Sequence, residues 1–156
     1  MSDPETRQRP ANDHQGTATA SGVTPHLTTK DALAAVKFYK AAFGAELVFC
    51  QMAEDEKRVL HAHLVINGGS VFLHDDFPEY RGGTPAPAPA SIALHMQVDD
   101  VDAWWTRATR AGAEIAMPLA DMFWGDRYGQ IKDPWGYVWS LAATATSKKI
   151  DNGDTA

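Results

Sequence analysis

Asp31–Glu46 reads DALAAVKFYKAAFGAE, and Asp99–Glu114 reads DDVDAWWTRATRAGAE. Gly44 follows Asp31 by thirteen residues, Gly112 follows Asp99 by the same thirteen, and Ala-Glu comes after each glycine. An aspartate placed so can accept the orphan N–H groups of a first helical turn. A glycine at the far end takes the left-handed conformation that closes a helix. Between these caps Leu33, Val36, Phe38, Tyr39 and Phe43 recur at helical spacing, as do Val101, Trp104, Trp105, Ala108 and Ala111. Common caps alone do not account for equal spacing together with a shared Gly-Ala-Glu exit. The match predicts a duplicated unit.

Strand signals surround both helices. Val23–Thr29 and Ser91–Val98 precede them. Residues 45–52, 59–66 and 70–74 follow the first, and residues 114–119, 126–132 and 137–142 follow the second. Asn67-Gly68-Gly69 and Asp133-Pro134-Trp135-Gly136 have strong turn compositions. The order predicts an α+β fold of two βαβββ modules, residues 22–76 and 91–145, within one domain spanning 22–145. The joint, residues 77–90, contains GGTPAPAPA (Gly82–Ala90), whose alternating prolines favour an extended linker. A four-stranded sheet with one helix leaves its other face uncovered. Two such faces forming one cup-shaped sheet would enclose a cleft.

The ends, residues 1–21 and 146–156, have almost no large apolar side chains and are expected to be disordered tails. With 44% hydrophobic and 22% charged residues the composition is that of a globular protein, and no apolar run approaches the ~18 residues of a membrane helix. The first ten residues lack the apolar centre of a secretory signal, and the single cysteine, Cys50, cannot form an internal disulfide. The expected location is the cytoplasm. A formal net charge of −6 with scattered basic residues argues against nucleic acid and against an anionic membrane surface as partners.

Side chains alternate across a strand, so parity separates helix-facing from open-facing positions. In Val59–Ile66 the apolar set is Leu60, Ala62, Leu64 and Ile66, and the other set holds His61 and His63. In Ser91–Val98 the apolar set is Ile92, Leu94, Met96 and Val98, which leaves His95 opposite. His26 opposes Leu27 in the first strand. His26, His61, His63 and His95 are therefore the candidate catalytic residues. Imidazole titrates near neutrality, donates and accepts hydrogen bonds, and ligates metals. The same four also fit polar groups bonded to their neighbours on a wet sheet face. His74 is assigned by parity to the helix side and to a structural role.

A second concentration, DMFWGDRYGQIKDPWGYVW (Asp121–Trp139), gathers aromatic side chains around an aspartate and an arginine. Trp124, Asp126, Arg127 and Tyr128 are the candidate substrate-binding residues: apolar walls with a few polar anchors suit a small ligand, and Arg127 could hold a carboxylate in a bidentate fork. Pairing among these side chains, or simple core filling by the tryptophans, fits the same composition.

The stretches VTPHLTTKDALAAVKFYKAAFGAE, RVLHAHLVINGGSVFLHDDFPE, ALHMQVDDVDAWWTRATRAGAE and FWGDRYGQIKDPWGYVWSLA together resemble the vicinal-oxygen-chelate superfamily (glyoxalase, bleomycin resistance protein, dioxygenase), in its PhnB-like branch. The resemblance spans about Val23–Ala142. It implies paired βαβββ modules, a cup-shaped cleft for a small molecule, and a homodimer. It also implies, in the metal-dependent members, histidine on the first strand of each half and glutamate on the last. Those positions fall at or near Thr24, Ser91 and Ser140, none a strong ligand. His26 and His95, displaced along the same face, are the alternative ligands for a divalent zinc, nickel or iron ion. Two functions follow from the resemblance. One is a glyoxalase-type enzyme, a lyase, isomerase or dioxygenase acting on a small oxygenated substrate. The other is a metal-free protein that sequesters an aromatic or anionic compound.

Overall fold

The structure, a computed structural model, describes residues 20–145. The expected tails lie outside the described residues apart from residues 20 and 21. The first half runs β1 (His26–Thr28), α1 (Ala32–Phe43), β2 (Glu46–Met52), β3 (Val59–Ile66) and β4 (Gly69–His74). A short 3-10 turn, Pro78–Arg81, opens the linker. The second half repeats the order with β5 (Ala93–Gln97), α2 (Val101–Ala111), β6 (Glu114–Asp121), β7 (Asp126–Lys132) and β8 (Val138–Thr144). Each half is a four-stranded sheet, ordered β1-β4-β3-β2 and β5-β8-β7-β6. The β1–β4 and β5–β8 pairs are parallel and the others antiparallel. Two βαβββ units follow the chain, as the matched helices predict.

The caps form with one shift. Asp31 Oδ1 accepts the Ala34 N–H at 3.1 Å. In the second half Asp100, not Asp99, does the same for Ala103, also at 3.1 Å. Gly44 and Gly112 close the helices at φ 62° and 110°, where a side chain would be strained.

The helix sides of both sheets share a single core. Leu27, Val36, Phe43, Leu64 and Leu73 from the first half join Val101, Ile131, Trp139 and Leu141 from the second. Helix α1 packs on α2 as well as on its own sheet, and the rings of Tyr39 and Phe43 lie 5.4 and 4.9 Å from that of Trp139. Burying each of these rings is worth roughly 2–3 kcal/mol. Leu33, expected on the apolar face of α1, is instead 50% exposed.

A polar clamp crosses the halves inside this core. The buried Asp133 carboxylate accepts the Tyr39 hydroxyl at 2.5 Å, the Trp139 indole N–H at 2.9 Å, and the backbone N–H groups of Trp135 and Tyr137 at 3.0 Å each. Burial pushes this carboxyl above the usual carboxylate range and the four donors pull it back. Nearby, the Tyr137 hydroxyl accepts the Thr28 N–H at 3.0 Å and donates to its carbonyl at 2.9 Å. The turn Asp133–Gly136 thus ties β8 to α1 and β1.

Gly129 serves α2. A Cβ there would lie 2.6 Å from the Trp105 ring and 3.0 Å from the Leu119 backbone. Only glycine lets the indole come this close to β7.

Candidate functional site

The other face of each sheet points away from the shared core, and that is where the histidines lie. On the first sheet, His26, His61 and His63 surround Phe72: their ring centroids sit 5.9, 4.7 and 4.9 Å from its own, each edge to face. His26 and His61 are 5.8 Å apart, and Phe49 flanks His61 at 6.1 Å. The His63 imidazole, 8% exposed, shares a 2.8 Å hydrogen bond with the Ser70 hydroxyl through Nε2.

His74 belongs to this group, contrary to its expected place on the helix side. Val71 and Leu73 fill the core, so Ser70, Phe72 and His74 face outward. Its ring is 4.8 Å from that of His26. Nδ1 lies 2.6 Å from the Asp75 carbonyl, which can only accept, so Nδ1 carries the proton. Nε2 lies 3.4 Å from the Thr28 hydroxyl. Burial, and then the neighbouring His74 and His61, lower the pKa of His26. The shift favours the neutral imidazole.

The second sheet carries His95. It faces Ser140 across the β5–β8 ladder, as His26 faces Phe72 across β1–β4. His26 and His95 therefore occupy matched places in the two halves. Nδ1 of His95 is 2.8 Å from the Ser140 hydroxyl and Nε2 is 3.0 Å from Gln97 Oε1. Its ring stacks on Tyr128, with centroids 6.2 Å apart and planes 17° apart. Tyr128 in turn meets Trp124 at 5.8 Å, and its hydroxyl accepts a bond from Gln130 at 2.9 Å. The Trp124 indole N–H donates to Asp126 at 3.3 Å. Trp124 is 51% exposed and Phe123, beside it at the hairpin tip, 97%.

Arg127 stands apart from the other candidates on this sheet. In β7 it shares parity with Gly129 and Ile131 and turns toward α2, away from Tyr128. Its guanidinium is held by Asp102 at 3.1 Å and Asp121 at 3.3 Å, and these hydrogen bonds raise its pKa further. It does not line the open face.

The candidate residues thus fall into two sets: His26, His61, His63 and the added His74 on one sheet, and His95, Trp124, Asp126 and Tyr128 on the other. The two sheets, rather than the two sets, meet at one edge. The Asn67 amide donates to the Gln97 carbonyl at 3.0 Å. Beside it a cavity of about 320 Å³ has Ser70 and His95 at its polar rim and Val71, Leu94, Met96 and Trp139 on its apolar walls. That volume is at the lower end for a small-ligand pocket.

A resident divalent metal does not fit this arrangement within one chain. Ser140 is engaged by His95, and both His95 nitrogens have hydrogen-bond partners. His26 and His95 stand on different sheets, and among the described residues no group of three or more His, Cys, Asp or Glu side chains is placed to hold an ion. No helix among the described residues is long and apolar enough to cross a membrane.

Comparison with known proteins agrees with the paired βαβββ fold. The family model of the Glyoxalase/Bleomycin resistance protein/Dioxygenase superfamily matches residues 19–141. An uncharacterized protein of Mycobacterium tuberculosis is 38% identical over 149 residues, spanning 90% of this chain and 87% of the relative. The crystal structure of TioX from Micromonospora sp. ML1 is similar at 28% identity and TM-score 0.62, covering 80% of this chain and 99% of that one. The PhnB protein from Bacillus cereus shares the fold at 19% identity and TM-score 0.57, covering 79% of this chain and 99% of its own. The chain belongs to the Glyoxalase/Bleomycin resistance protein/Dioxygenase superfamily.

Proposed function

We propose that this member of the superfamily binds a planar aromatic small molecule, without a resident metal, against the ring-lined open faces of its sheets. One observation carries the reading: each open face presents a contiguous set of aromatic and imidazole rings with polar tips. On the first sheet these are Phe49, His61, Phe72 and His26; on the second, Trp124, Tyr128 and His95. Ring pairs prefer edge-to-face or offset stacking, worth about 0.5–1.5 kcal/mol each beyond the area they bury. A flat ligand slotted among them gains several such contacts at once. The serine, glutamine and tyrosine groups at the margins supply the few directional bonds that orient it.

The protein functions as a homodimer in this reading. Two ring-lined faces on separate sheets leave much of a ligand exposed, and Phe123 and Trp124 present apolar surface to solvent. A second copy covers these faces and turns open sheets into a closed cleft.

A second reading, a glyoxalase-type enzyme acting on a small oxygenated substrate, is favoured by the depressed pKa of His26. A neutral imidazole at pH 7 can take a proton from a substrate as a general base. Here His26, with His61 and His63, performs the proton transfer, and His95 with Tyr128 orients the substrate.

Titration with 2-naphthamide, read as tryptophan quenching alongside the mass of the species in solution, tests the first reading. Saturable binding by a dimer is expected, with Trp124→Ala weakening it about tenfold, the equivalent of one lost ring contact. No saturable response in the wild-type protein, or binding indifferent to both Trp124→Ala and Tyr128→Ala, overturns it. Metal-dependent turnover lost in His26→Gln would favour the enzyme.

A further inference from the structure

We infer that Arg58, which touches neither ring stack directly, is a positioning residue for the imidazole face of the first sheet; the inference rests on the ligand-binding reading above. Arg58 lies at the end of the loop joining β2 to β3. That loop is built around Asp55, whose carboxylate accepts the N–H groups of Lys57 and Arg58 at 2.9 Å each. These backbone bonds, and then the Arg58 side chain, hold the Asp55 carboxyl down at about 2. The acceptor is therefore ionised throughout the working pH range, and Arg58 Nε donates to it at 2.6 Å.

The remaining reach of the guanidinium goes across to the 3-10 turn. One terminal nitrogen meets Glu79 at 2.7 Å, and the other donates to the Asp76 carbonyl at 3.4 Å. The plane as a whole lies over Phe77, 4.4 Å from its centroid. A single exposed ion pair contributes little, because two long side chains must be held for a modest Coulomb gain. Here one planar fork is shared among two carboxylates, a carbonyl and a ring face, so ordering it once serves four contacts.

What Arg58 holds down is the wall of the site. Phe77 is buried and its ring lies 6.4 Å from that of His74, tilted by 30°. His74 touches His26, and His26 touches His61 and Phe72. The far side of the turn has ties of its own: the Asp76 carboxylate pairs with Arg81 and accepts the Ala86 N–H at 2.8 Å. The turn is thus fixed at its linker end by Asp76, and Arg58 is the clasp that presses Phe77 onto His74. Releasing it frees His74 to leave the rotamer that its Asp75 and Thr28 contacts select, and the ring cluster loses one side.

The test uses the full-length protein with side-chain-labelled histidine, comparing wild type with Arg58→Gln and Glu79→Gln by NMR and by 2-naphthamide titration. Arg58→Gln is expected to move the His74 and His26 imidazole resonances, leave those of His95 in place, and weaken 2-naphthamide about three- to tenfold. Glu79→Gln, which removes only one arm of the clasp, is expected to cause the same changes at smaller amplitude. His74 and His95 resonances moving together would mean a general loosening and overturn the positioning role. So would wild-type binding of 2-naphthamide that Arg58→Gln leaves unaltered, with the ligand-binding reading still standing. Absence of 2-naphthamide binding by the wild-type protein overturns both.

Discussion

The Tyr39 hydroxyl, at the heart of α1, donates to the Asp133 carboxylate 2.5 Å away in the β7–β8 turn. It joins helix and turn from opposite halves across 94 residues of chain. Tyr39→Phe removes the bond and leaves a buried carboxylate with one donor fewer. A loss of about 1–3 kcal/mol in unfolding free energy is expected by urea denaturation. Asp133→Asn is expected to cost more, since an amide nitrogen replaces an oxygen that accepts from both Tyr39 and the Trp139 indole.

Gly129 is the second point where one atom matters. The Cβ added by Gly129→Ala would meet the Trp105 ring at 2.6 Å and the Leu119 backbone at 3.0 Å, and the backbone cannot yield as a flexible side chain would. Overpacking of this kind is expected to cost about 1–3 kcal/mol. Thermal unfolding of the single variant, and of Gly129→Ala combined with Trp105→Ala, checks it: the double variant recovers part of the loss.

Acid sensitivity follows from His26. Its pKa in the fold lies below the unfolded value of 6.5, so the unfolded chain binds the proton more readily. Stability therefore falls as pH drops below the unfolded pKa, and the loss is complete below the depressed folded one. His26→Gln removes this term. Its melting temperature, measured against the wild type from neutral to mildly acidic pH, is expected to decline less steeply.

Arg127 is predicted to be dispensable for the ligand. Its guanidinium is occupied by Asp102 and Asp121 on the helix side of β7. Arg127→Ala should leave the 2-naphthamide dissociation constant unchanged, whereas Tyr128→Ala, one residue along and on the other face, should raise it.

These two neighbours also show what was legible in the sequence. The helices announced themselves because both caps and both exits are local signals, and the strands because turn compositions separate them. Parity put His26, His61, His63 and His95 on open faces since each alternates with unambiguous aliphatic residues. It failed for His74 because Val71, Phe72 and Leu73 form an unbroken apolar run; a phenylalanine seated among imidazoles on the open side erases the alternation. The thirteen-residue match pointed to Asp99 as the cap of α2, and backbone geometry selects its neighbour Asp100 instead. For Arg127 the signal was present: it shares parity with Ile131, a core residue. The Arg58 clasp was not legible, because it unites residues from a loop and a turn with no common period.

The most direct measurement of the ring-lined site is an NMR titration of the indole and imidazole groups with 2-naphthamide. The Trp124 indole and the imidazoles of His26, His61 and His95 are predicted to shift along one saturation curve, while the Trp104 and Trp135 indoles, away from the open faces, stay put. Shifts confined to those two indoles, or no saturable shift at Trp124 and the histidines, would contradict the assignment of the open faces as the binding site.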